Sequence, residues 1–227
     1  MKVLVVAAHP DDEVLGCGGT LARWARAGHE IAVMILAEGA TSRDEDRDPH
    51  GRASELSALA EAADKAAAIL GVSNLELYRM PDNRLDSVPL LDVVKTIEDK
   101  LLRFGPDTVL THHAGDLNID HQQICQAVVT ACRPVPESTV KKIMTFEVPS
   151  STEWQTDCHG AAFMPNSFID ISETLAIKVE ALSAYTSEMR PWPHPRSIEA
   201  VEYLARWRGA TVGAPAAEAF RILREIS

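Results

Sequence analysis

"KVLVVAAHPDDEVLGCGGTLARWARAG", residues 2–28, passes from an unbroken apolar run through a histidine and three consecutive acids into a glycine cluster, then into an amphipathic stretch. A continuous β-branched run such as 2–8 is what a strand buried on both faces looks like. Leu21, Trp24 and Ala25 then recur at helical spacing, and Gly28 closes that helix. The rest of the chain repeats the unit. Strands are predicted at 30–36, 75–80, 107–112 and 140–148. Helices are predicted at 54–71, stopped by Gly71, at 89–105, stopped by Gly105 and Pro106, and at 121–133, capped by Asp120 or Asn118. This alternation makes an α/β fold, with a parallel sheet and helices on both faces. Beyond 148 the pattern loosens into a Ser, Thr and Asn-rich stretch to about 167, helices at 172–185 and near 197–208, and a last apolar segment at 217–226. No linker or repeat divides the chain, so 1–227 is expected to be a single domain: a core over 1–148 and a part over 149–227 that caps the sheet.

A length of 227 residues suits one domain, and a net charge of -11 excludes partners held by clustered Lys and Arg, nucleic acid above all. The N-terminal apolar run is far shorter than the ~18 residues of a membrane span, and acids stand where a signal cleavage site would lie. A cytoplasmic protein with no membrane span is expected. The four cysteines, Cys17, Cys125, Cys132 and Cys158, form no C-x-x-C, so reduced thiols are expected; Cys17 as a nucleophile lacks a nearby histidine to activate it.

In doubly wound sheets ligands bind beyond the carboxyl ends of the strands, where strand order reverses, and in the order 3-2-1-4-5 the first and fourth strands meet there. His9, Asp11 and Asp12 follow the first strand; "DLNIDH", 116–121, follows the fourth. Two readings fit the acids. They can cap the following helix, whose dipole favours negative charge. They can also build a metal site, because two imidazoles and a carboxylate with an open position form a catalytic zinc set that lowers the pKa of bound water to ~7. His9, Asp12 and His121 are the candidate ligands, Asp11 the candidate base, and Asp120 a candidate to orient a ligand imidazole. "GCGG" at 16–19 resembles a nucleotide-binding turn but lacks the G-x-G-x-x-G spacing.

"AHPDDEVLGCGGTLA" (8–22) together with "DLNIDH" (116–121) resembles the zinc-dependent de-N-acetylases of the PIG-L and LmbE-like superfamily, and "AAAILGV" (66–72), "PDNRLD" (81–86) and "RGATVGAPAAEAF" (208–220) extend the resemblance along the chain. The resemblance implies a Rossmann-like three-layer αβα sandwich with a mostly parallel sheet. It also implies removal of an acetyl group from an N-acetylated amino sugar on a small conjugate. Carried over, His9, Asp12 and His121 match the ligands of Zn2+, or of another divalent ion such as Fe2+, and Asp11 matches the general base. Many members carry a histidine where this chain has Asn118, and an Asn amide cannot deliver a proton at neutral pH. Either Asp11 serves alone as base and then acid, or His112, His113 or His194 supplies the missing group; Asn118 equally suits a helix cap that aims His121. Arg43, Asp82, Arg84, His194 and Arg196 are candidate substrate contacts. A two-metal phosphoesterase and a non-catalytic binding protein are the competing readings. "RPWPHP" (190–195) suits either a substrate rim or the interface of a homo-oligomer.

Overall fold

Residues 1–43, 45–156 and 162–227 are described by the computed structural model, Arg43 by its backbone alone; Cys158 lies outside the described residues. Strands β1 (Lys2–Ala7), β2 (Glu30–Ala37), β3 (Asn74–Met80), β4 (Thr108–His112) and β5 (Lys142–Phe146) alternate with helices α1 (Asp12–Arg26), α2 (Ala53–Leu70), α3 (Leu90–Phe104) and α4 (Ile119–Ala131). These are followed by β6 (Ser167–Asp170), α5 (Leu175–Leu182), α6 (Ile198–Ala210) and β7 (Ala217–Glu225). The strands form one sheet in the order β3-β2-β1-β4-β5-β7-β6. The first five are parallel, and β7 runs antiparallel to both β5 and β6.

The unbroken apolar character of β1 follows from its two dry faces. Val3, Val5 and Ala7 pack with residues of α1, α2, α5 and α6, whereas Leu4, Val6 and Ala8 pack with α3 and α4. An α/β sandwich with a mostly parallel sheet is therefore what the alternation built. Among the described residues no helix is long and apolar enough to cross a membrane.

One expectation is corrected and another extended. The first helix begins at Asp12, before the glycine cluster, and bends at Cys17, whose backbone is not helical. At the bend the Gly19 and Thr20 amides donate to the Glu218 carboxylate at 3.0 and 2.7 Å, and the Leu15 carbonyl accepts from Lys178 Nζ at 2.7 Å. The glycines serve close packing: a Cβ on Gly16 would lie 2.2 Å from the Phe146 ring, and one on Gly19 would lie 2.8 Å from Ile171. An exposed helical Gly→Ala change gains up to ~1 kcal/mol. Gly16→Ala is instead expected to lose about 1–3 kcal/mol in chemical denaturation, because the Phe146 ring is fully buried and has no room to yield.

The tail, expected only as a cap, also extends the sheet: α5 and α6 lie over one face, and two further strands continue the sheet at the β5 edge. β7 pairs along the edge of β5 and β6 pairs with β7, covering backbone groups that a five-stranded sheet would leave open.

Candidate active site

β1 and β4 are sheet neighbours, and their carboxyl ends build the site. Beyond β1 the chain turns through His9 and Pro10 into α1, with Asp11 at φ +112, a region that side chains other than glycine rarely adopt. Asp11 stands at the N-cap position of α1 yet makes no side-chain capping hydrogen bond, so capping does not account for it. Beyond β4, Asn118 does cap α4: its side chain accepts from the Asp120 amide at 2.8 Å, which sets Asp120 and His121 in the first turn.

These turns converge on one atom. Asp12 Oδ2 lies 3.2 Å from His9 Nδ1 and 3.2 Å from His121 Nε2. Each imidazole faces another carboxylate with its second nitrogen: His9 Nε2 lies 3.0 Å from Asp120 Oδ2 and 3.2 Å from Asp82 Oδ1, and His121 Nδ1 lies 3.1 Å from Asp116 Oδ1. The His121 contacts are close without the alignment of a hydrogen bond, so both of its buried nitrogens lack a hydrogen-bond partner. Asp116 is fixed in turn by the Ser151 hydroxyl, by Thr152 Oγ1 at 2.6 Å and by the Asn118 amide at 2.9 Å.

Asp11, Asp12, Asp82, Asp116 and Asp120 are all buried, and so much negative charge calls for positive charge beside it. Burial opposes protonation of both imidazoles, but Asp12, Asp120 and Asp82 raise His9 well above its ordinary value, and Asp12 with Asp116 raise His121 to about 9. Asp12 is held well below the usual carboxylate range: burial acts against this, and the charge of His121 together with the hydrogen bond to His9 outweighs it. Burial would likewise raise Asp116, but His121, Ser151 and Thr152 hold it at about 2. Asp11 moves the other way. Its burial and the neighbouring Asp12 charge push it well above the carboxylate range, against Arg196, whose Nη1 donates to Asp11 Oδ2 at 3.1 Å.

The donor set fits a divalent metal. His9, Asp12 and His121 offer ligand atoms within 4.8 Å of one another, and with one proton kept on His9 Nε2, facing Asp120, loss of the Nδ1 proton would free a lone pair on the Asp12 side for an ion. A second group, His9 with Asp82 and Asp120, is equally close. Its carboxylates are already engaged, Asp120 by the amides of Asn83 and Leu85 at 2.7 and 2.9 Å and Asp82 by the Ser42 amide at 3.0 Å. Asp12 Oδ2 likewise accepts the His9 amide at 2.8 Å, so what sets the first group apart is its donor mix, two imidazoles and one carboxylate, the mix of a catalytic zinc site.

A polar cavity of about 160 Å³ opens over these residues, lined by His9, Asp11, Asp12, Asp82, Asn118, His121 and Arg196 among others. A larger cavity of about 450 Å³ lies beyond Pro10, against α2; its lining includes Glu38 and His50, but Glu38 is paired with Arg47 at 2.7 Å, and among the described residues no group of three metal donors gathers there.

Of the predicted substrate contacts, Asp82 and Arg196 reach the cavity. Arg84 instead donates to the Glu45 carbonyl at 2.9 Å, and His194 Nδ1 accepts the Arg196 amide at 3.0 Å; neither lines the cavity. The Arg43 side chain lies outside the described residues. Asp120 touches the imidazole of His9, not that of its sequence neighbour His121, which Asp116 holds. Of the alternative proton donors, His112 is fully buried, accepts the Ala8 amide on Nε2 at 2.8 Å, and is driven down to about 3 by burial and the His121 charge. His113 and His194 lie outside the lining. Sequence reasoning passed over Asp116, although it opens the "DLNIDH" motif, and passed over Glu13 and Tyr185, whose contact spans 172 positions and has no local signal.

The family model described as PIG-L, GlcNAc-PI de-N-acetylase, matches residues 4–132. An uncharacterized deacetylase of Escherichia coli strain K12 is 31% identical over 191 residues, covering 82% of this chain and 90% of its own. Among solved structures, the N,N'-diacetylchitobiose deacetylase of Pyrococcus horikoshii superposes with a TM-score of 0.78 at 21% identity, over 98% of this chain and 84% of that one. A 4-carboxy-2-hydroxymuconate hydratase of Pseudomonas putida KT2440 superposes with a TM-score of 0.75 at 22% identity, over 100% of this chain and 97% of that one. The same fold thus carries more than one chemistry.

Proposed function

Because this chain belongs to the PIG-L family of de-N-acetylases, we propose that it is a metal-dependent hydrolase that removes the acetyl group from an N-acetylated amino sugar on a small glycoconjugate. The observation that carries the reading is the convergence of His9 Nδ1, Asp12 Oδ2 and His121 Nε2 beside a further acid, Asp11, that is not needed to hold the ion. His9, Asp12 and His121 are the ligands, for Zn2+ or another divalent ion such as Fe2+. When bound, such an ion supplies Lewis acidity, polarising a carbonyl and bringing the ionisation of water to a pKa of ~7.

Asp11 is the general base. Its raised affinity for a proton suits it to take one from the attacking water and return it to the departing amine. Arg196, 3.1 Å from Asp11 Oδ2, steadies the anionic form that must exist before that transfer. Asn118 works as a cap, its Nδ2 tied to Asn83 Oδ1 at 2.8 Å, and His112 is held neutral, so the return of the proton falls to Asp11 alone. Asp82 and Arg196, which line the cavity, are substrate contacts. Sites that enclose a drug-sized ligand measure ~300–1,000 Å³, and the smaller cavity here suits the acetamido end of a substrate whose remainder lies in the open cleft.

A two-metal phosphoesterase would need His9, which both donor groups share, to ligate through both nitrogens at once. A binding protein would have no use for an acid such as Asp11 that holds no ion. Metal content tests the reading: about one zinc or iron ion per chain is expected, with loss of that ion in His121→Ala. Two ions per chain, or none after zinc is offered, would overturn it. Asp116→Asn is expected to weaken zinc binding by about 10- to 100-fold, read by competition with a chromogenic chelator, because the carboxylate that orients His121 is gone.

A further inference from the structure

We propose that Glu13, anchored by Tyr185, is a positioning residue that locks the backbone of Asp11 so that its carboxylate faces the reacting atoms. The inference rests on the reading of Asp11 as the base. Glu13 Oε2 accepts the Asp11 amide at 3.1 Å, and Glu13 Oε1 accepts the Tyr185 hydroxyl at 2.6 Å. Both side chains are buried, Glu13 at 3% exposure and Tyr185 at 0%. A carboxylate in the first turn of a helix is favoured by the dipole without leaving water, so burial of this one needs another reason, and it carries a desolvation cost that its two hydrogen bonds offset.

The reason lies one turn of backbone away. Asp11 is held at φ +112, a conformation that costs ~1–3 kcal/mol and persists only where the surroundings over-determine it. The Asp11 amide is the handle by which those surroundings grip it, and Glu13 is the grip. Tyr185 follows α5, so this contact ties the C-terminal part of the chain to the turn that carries the base. If the grip is released, Asp11 can relax toward an ordinary φ and swing its carboxylate, and a displacement of ~1 Å costs ~10²-fold in rate.

Position and charge can be separated at this residue. In Glu13→Gln the amide oxygen can still accept from the Asp11 amide while its N–H group donates to the Tyr185 oxygen. In Glu13→Ala the grip is lost. The experiment measures hydrogen exchange of the Asp11 amide together with kcat and KM, on zinc-loaded protein. Glu13→Ala is expected to speed Asp11 exchange by at least about tenfold and to lower kcat by about 10- to 100-fold with little change in KM. Glu13→Gln is expected to restore most of both losses, and Tyr185→Phe, which removes only the anchor, to fall between them. Unchanged Asp11 exchange in Glu13→Ala, or in Tyr185→Phe should Glu13→Ala not fold, would overturn the proposal. So would a Glu13→Gln variant as slow as Glu13→Ala, because that marks Glu13 as a proton carrier. A wild type that deacetylates no amino sugar while the exchange pattern holds would sink the functional reading and leave the backbone lock standing.

Discussion

Asp11→Asn is expected to keep its metal and to lose turnover by about 10²- to 10⁴-fold, the worth of a general acid-base group. The substitution is nearly isosteric, and the Asn oxygen can still accept from Arg196, so the surroundings of the side chain are preserved. What disappears is the capacity to hold a proton between the attacking water and the departing amine. The ligand atoms of His9, Asp12 and His121 are untouched, and so are the carboxylates of Asp116 and Asp120 that face their other nitrogens. Steady-state turnover measured beside a zinc titration checks both halves. Loss of zinc in Asp11→Asn would make Asp11 a ligand and overturn the division of roles.

Glu218→Ala is expected to cost about 3–5 kcal/mol of stability, the penalty for leaving one member of a buried ion pair without its partner. Lys178 Nζ lies 2.6 Å from Glu218 Oε1 and both side chains are 4% exposed, so neither has water to fall back on. Glu218 also accepts the Gly19 and Thr20 amides at the bend of α1, where the helix's own ladder is broken. The double variant Lys178→Met/Glu218→Ala is therefore expected to recover only part of the loss: the orphaned ammonium is gone, but two buried amides remain without an acceptor. Urea denaturation of the three proteins checks this, and equal stability of the single and double variants would show that the stranded ammonium is not the source of the cost.

Much of this architecture is legible in the sequence because β1, β2, β4 and β5 are buried along almost their whole length, and such strands read as mostly apolar runs, whereas the edge strand β3 has no buried residue and is marked by apolar residues broken by Glu76 and Arg79. The proposed metal ligands are legible for a related reason: a strand that ends in polar residues at the switch point exposes them to one another, and His9, Asp12 and His121 sit in just two such turns. The start of α1 is hidden because Gly16, Gly18 and Gly19 depress helix propensity, and only the nearness of Phe146 to Gly16, of Val14 to Gly18 and of Ile171 to Gly19 explains them. β6 is hidden because it has four half-exposed or exposed residues and exists through its pairing with β7. Asp116 is local to the second motif, yet its role depends on the ring of His121 turning toward it. Arg84 and His194 fail as cavity residues for a simpler reason, since the direction taken by such a side chain depends on partners, here the Glu45 carbonyl and the Arg196 amide, that sequence spacing does not reveal.

The proposed reaction, metal-dependent removal of acetyl groups from amino sugars, yields acetate and a free amine, and both can be measured. The measurement is acetate release from a panel of N-acetylglucosaminides by protein loaded with zinc, compared with the same protein stripped by a chelator. Release of acetate and free amine in equal amounts, abolished by chelation and restored by adding zinc back, is the predicted result. Zinc-loaded protein that releases no acetate from any member of the panel, or release that persists at the same rate after the metal is removed, would contradict it.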